Sequence, residues 1–168
     1  MVRIFLLLCL SVLFSWSSQA AAPHQTIFLV RHAEKAQGSD PGLTVAGKAR
    51  AEALAEALRD TQLQRLMSSE FRRTQETLAP IATAKQLRIE VFPAKVGLEA
   101  HINAIADAVK ASQGNVLIAG HSNTVPAIIK ALGGPLVSLN EQQYDQLFIL
   151  TLAEQGPTGL VTTHFGSQ

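Results

Sequence analysis

Cysteine is almost absent: Cys9 is the only one in 168 residues. A single thiol cannot close an internal disulfide or build a thiolate metal cluster. A surplus of charge is missing too, with 14 basic against 13 acidic residues. That balance gives no electrostatic case for a nucleic-acid partner. Nor is there an apolar run of membrane-spanning length. Ile4 to Phe14 is broken by Ser11 and falls short of the ~20 residues that a bilayer needs. What is there, at 47% hydrophobic and 16% charged, is too apolar for a disordered chain and long enough to bury one domain's core.

The start of the chain differs from the rest. Arg3 supplies a basic n-region, Ile4 to Phe14 a short h-region, and Ser17 to Ala22 small residues suited to cleavage. This pattern predicts a secretory signal peptide over residues 1–22, cut after Ala20 or Ala22, and one domain over 23–168. Cleavage would remove Arg3, Cys9 and Trp16. The exported protein would then have no cysteine, an asset in an oxidising compartment. A periplasmic or secreted location is therefore expected, with no stable membrane span after cleavage.

Strand-like and helix-like segments alternate along the remainder. Thr26 to Val30 is a continuous apolar run, as in a strand buried on both faces. Thr44 is placed to cap a helix from Ala46 to Arg59. Leu63 to Ser68 reads as a second strand, and Phe71 to Gln86 as a helix that Pro80 must kink or divide. Arg88 to Phe92 and Val116 to Ala119 read as strands. Glu99 to Ser112 and Val125 to Leu132 read as helices. Leu147 to Leu152 and Leu160 to His164 read as an antiparallel pair joined at Gly156 to Gly159. The expected fold is an α/β three-layer sandwich: a mostly parallel central sheet flanked by helices, with antiparallel strands at the C-terminus.

Three polar clusters come directly after predicted strands: Arg31-His32, Ser68 to Arg73, and His121-Ser122-Asn123. Open α/β sheets bind ligands beyond the carboxyl ends of their parallel strands. Two histidines and at least one arginine should therefore meet at one edge. Arg72 and Arg73 also open a helix, where the macrodipole disfavours cations unless an anion is bound.

The segments Arg31-His32-Ala33-Glu34, Ser69-Glu70-Phe71-Arg72-Arg73-Thr74 and Gly120-His121-Ser122-Asn123-Thr124 resemble the signatures of the histidine phosphatase superfamily, in its phosphoglycerate-mutase-like branch. The resemblance implies that His32 is the nucleophile, forming a phosphohistidine that water hydrolyses. It implies that Arg31 and Arg73 hold the phosphoryl oxygens and that His121 donates to them, with secondary contacts from Ser122 or Asn123. Arg73 is preferred over Arg72 because the family's arginine stands four positions after the serine, here Ser69. Glu99 is the positional candidate for the general acid, with Glu34 and Glu70 as alternatives. Ala33 replaces a glycine common in relatives. No metal and no cofactor are implied, because the arginines and His121 supply the positive charge.

The expected activity is thus exported, metal-independent hydrolysis of a small phosphorylated substrate or a phosphoprotein. The alternative is a catalytically weak phosphate-binding module that recognises envelope phosphates. His24, His101 and His164 lie outside the motifs and read as tail or structural residues.

Overall fold

The computed structural model describes residues 25–152 and 158–167. The expected signal peptide, His24 and Gly156-Pro157 of the expected hairpin turn lie outside the described residues. The elements run β1 (Gln25–Arg31), α1 (Val45–Ala57), β2 (Arg65–Ser68), α2 (Arg72–Lys85), β3 (Ile89–Val91), α3 (Leu98–Lys110), β4 (Val116–Gly120), α4 (Thr124–Ala131), β5 (Gln146–Leu152) and β6 (Gly159–His164). Among the described residues, no helix is long and apolar enough to cross a membrane.

The six strands form one sheet in the order β3-β2-β4-β1-β5-β6. The first four in that order are parallel neighbours. β5 runs antiparallel to β1, and β6 antiparallel to β5. Alternation along β1 sends its side chains to two cores. Ile27 and Leu29 pack with Ile105 and Val109 of α3 and Val125, Ile128 and Ile129 of α4. Phe28 and Val30 pack with Leu54 of α1 and Leu78 and Ile81 of α2. Two helices on each face complete the three layers.

Thr44 caps α1 as expected, its hydroxyl accepting from the Gly47 amide at 3.0 Å. Of the two outcomes expected at Pro80, division of the helix does not occur: α2 is one helix with Pro80 inside it. An interior proline costs ~3 kcal/mol. Leu78 and Ile81 flank it and are fully buried. Each such burial is worth roughly 1.5–3 kcal/mol, enough together to offset the proline.

Candidate active site

The carboxyl ends of β1, β2 and β4 lie side by side. Arg31 is in register with Gly120, and the His32 amide donates to the Gly120 carbonyl at 2.9 Å. This bond brings the residue after β1 against the residue before His121. Gly120 is required by close packing: a Cβ there would lie 2.7 Å from Thr124 Oγ1 and 3.0 Å from a Val125 methyl. Thr124 in turn accepts from the His121 amide at 2.8 Å. The turn into α4 is thereby fixed, and His121 with it.

His32 is buried, and its Nδ1 lies 2.8 Å from the Ala33 carbonyl. A carbonyl only accepts, so Nδ1 carries the proton and Nε2 keeps its lone pair. Burial pushes the pKa of His32 down to about 4. The bond to Ala33 works in the other direction, and Arg31, Arg73 and Lys35 add to the lowering. At neutral pH the ring is therefore uncharged and nucleophilic.

The His121 ring stands 5.3 Å from the His32 ring, at 65° to it. Its proton position is set by a chain of hydroxyls. Thr74 Oγ1 lies 2.8 Å from the Phe71 carbonyl and 3.2 Å from that of Ser69. Its one hydrogen must go to a carbonyl, so it accepts from Ser69 Oγ at 2.9 Å. Ser69 Oγ then accepts from His121 Nε2 at 3.0 Å. His121 Nδ1 is left unprotonated, facing an Arg73 N–H at 3.5 Å. Burial pushes this histidine down to about 3, with Arg73 and His32 adding to the effect.

Arg73 is largely buried, and its guanidinium sits 4.3 Å over the Phe71 ring. Arg72 points elsewhere: it is exposed and pairs with Glu76 at 3.0 Å. Arg31 is buried, donating to the Asn140 carbonyl at 3.0 Å and to Glu141 at 3.0 Å, with Tyr144 against its guanidinium. Ser122 donates to the other Glu141 oxygen at 2.6 Å.

These groups surround a cavity of about 370 Å³ whose lining includes His32, Lys35, Arg73, His121, Ser122 and Glu141. Asn123 reaches it as well. Arg31 lies behind Glu141 rather than in the lining. Glu99 does not line the cavity either; it is exposed in the first turn of α3. Glu34 is held by Arg50 at 2.7 Å, and Glu70 accepts the amides of Ala94 and Lys95. Neither carboxylate is free to move a substrate proton. Among the described residues, no group of His, Cys, Asp and Glu could hold a metal ion.

Sequence reasoning misses Phe71, His101, Glu141 and Tyr144. His101 reads from the sequence as a structural histidine away from the site, but it is buried and lines the cavity. Its place three residues after Leu98 and four before Ile105, on the apolar stripe of α3, is the available signal. His164 is exposed and bonds to Asp145 at 2.8 Å. A pair of neutral imidazoles flanked by Arg73 and Lys35 suits a small tetrahedral oxyanion.

Known proteins fit this picture. Residues 27–94 match the model of the histidine phosphatase superfamily, branch 1. That segment holds His32 and Arg73, while His121 lies beyond it. The fold resembles the protein histidine phosphatase SixA, solved in complex with tungstate. That similarity has a TM-score of 0.67 at 20% identity over 83% of this chain and 96% of the other. It also resembles a mycobacterial glucosyl-3-phosphoglycerate phosphatase, with a TM-score of 0.62 at 14% identity over 76% and 90% of the two chains. No curated protein matches the sequence.

Proposed function

We propose that the chain is a histidine phosphatase, an exported, metal-independent phosphohydrolase. It cleaves phosphomonoesters, free or on a protein, through a phosphohistidine on His32. The observation that carries this reading is the Nδ1 bond of His32 to Ala33, which leaves Nε2 unprotonated in a cationic cavity.

The charges dictate the chemistry. A phosphoryl transition state spreads negative charge over three equatorial oxygens, so catalysis is mostly positioning and electrostatics. His32 Nε2 attacks phosphorus in line, and the bond to the leaving oxygen breaks. Arg73 and Arg31 hold the phosphoryl oxygens. His121 is neutral in the arrangement described, but an arriving dianion favours its charged form. Protonated at Nδ1, it donates to the phosphoryl group. Water then displaces phosphate from His32. Export rests on the signal-like start of the sequence, and the breadth of substrate on the small domain without long insertions.

Hydrolysis of 4-nitrophenyl phosphate by the mature protein tests the reading. Activity should survive EDTA and be lost in His32→Ala. A wild type that binds phosphate but never turns over would favour the binding module instead. Activity retained in His32→Ala would remove His32 as nucleophile.

A further inference from the structure

The leaving oxygen needs a proton, and Glu99, the candidate read from the sequence, does not line the cavity. We propose that Glu141 supplies it, swinging to the leaving oxygen when the substrate phosphate takes its place on Arg31 and Ser122. This rests on the phosphatase reading and names its missing acid.

Four observations support the assignment. Among the described residues, Glu141 is the only carboxylate lining the cavity. Its two oxygens occupy an Arg31 N–H at 3.0 Å and the Ser122 hydroxyl at 2.6 Å, donors of the kind a phosphate oxygen would use. The Arg31 N–H and the Ser122 hydroxyl that Glu141 now holds become available to a phosphate when Glu141 leaves them. The backbone around it is braced: Asn140 and Gln142 amides donate to Gln143 and Asn140 side chains at 2.9 and 2.8 Å. The Glu141 side chain itself is 78% exposed, so it can swing while its backbone stays.

Displacement also changes its proton affinity. In the arrangement described, the Ser122 hydroxyl and then Arg31 hold Glu141 below the usual carboxylate range. His32 and Lys35 contribute in the same direction. A phosphate dianion that captures Arg31 and Ser122 removes both supports and adds like charge nearby. Both changes favour the protonated acid. Substrate binding thus loads the proton donor.

The proton balance closes over two steps. His32 Nε2 bonds to phosphorus as the P–O bond breaks, and Glu141 gives its proton to the leaving oxygen, releasing an alcohol. The Glu141 carboxylate then takes a proton from water as the water oxygen bonds to phosphorus. The P–N bond breaks, phosphate leaves and His32 is regenerated.

Glu141→Gln, nearly isosteric, tests this with two substrates. The leaving oxygen of 4-nitrophenyl phosphate needs little protonation, whereas that of glycerol 2-phosphate needs it. A general acid contributes upwards of ~100-fold, so kcat/KM for glycerol 2-phosphate should fall by about that factor. The same constant for 4-nitrophenyl phosphate should change less than about fivefold, since no proton is demanded there. Loss of the base in the second step should also give one equivalent of nitrophenolate in a burst before a slow steady state. Equal losses on both substrates would mark a structural role and overturn the proposal. Equal gains would mark a carboxylate that only competes with phosphate, and would overturn it too. A wild type inactive on both substrates would instead sink the phosphatase reading.

Discussion

Ser69 Oγ lies 3.0 Å from His121 Nε2 and links that imidazole to the Thr74 hydroxyl and the Phe71 carbonyl. The relay sets both the ring orientation and its tautomer. It joins the segment after β2 to the segment after β4, so two separate motifs form one device. Ser69→Ala removes the acceptor and leaves a buried N–H unpaired. A net hydrogen bond is worth ~1 kcal/mol and an orphaned buried donor ~1–3 kcal/mol, so kcat/KM should fall about tenfold or more. Nitrogen NMR of the wild type should show His121 protonated at Nε2. A folded Ser69→Ala variant within twofold of the wild type would show that the relay has no catalytic weight.

The two neighbouring arginines of α2 should behave very differently. Arg73 lines the cavity beside His121, while Arg72 is exposed and paired with Glu76. A hydrogen bond to a charged group contributes ~1.5–3 kcal/mol, so Arg73→Ala should lower kcat/KM by roughly 10- to 100-fold or more. An exposed ion pair is worth ~0–1 kcal/mol, so Arg72→Ala should stay within a few-fold of the wild type. Steady-state kinetics on the two purified variants decides the matter. The reverse ranking would mean that Arg72 reaches the phosphate.

Much of this is legible in the residue order. The buried β1 run, the Thr44 cap and the polar clusters after β1, β2 and β4 carry their own physics, because a parallel sheet gathers the segments at its strands' carboxyl ends onto one edge. Glu141 and Tyr144 escape that rule for a geometric reason. β5 is antiparallel to β1, so the segment leading into β5 is the one that reaches this edge. The rule for parallel strands does not look there. Pro80 does not divide α2, because two buried side chains beside it anchor the helix, which local backbone chemistry alone does not register. Glu99 misleads because helix position alone says nothing of which way a first-turn carboxylate faces. Its neighbour Leu98 lines the cavity, whereas Glu99 does not.

The histidine pair should make both activity and stability depend on pH in a defined window. An ordinary histidine titrates near 6.5, but burial holds His32 at about 4 and His121 at about 3. As the proposed nucleophile, His32 must be unprotonated, so its acid limb in kcat/KM should set in only as pH approaches about 4 rather than 6.5. For stability, both folded values lie below the unfolded one. Between 6.5 and about 4 the unfolded chain binds more protons at these sites than the folded one. Unfolding free energy must then rise with pH across that window, and acidification must erode it. Carboxylates such as Glu34, held below 4.5, add their own loss only at lower pH. A thermal melt series should therefore show Tm falling from pH 6.5 toward 4, more steeply in the wild type than in His32→Asn. The difference between the two proteins isolates the contribution of His32. Parallel Tm curves would mean that His32 is not held neutral by its burial.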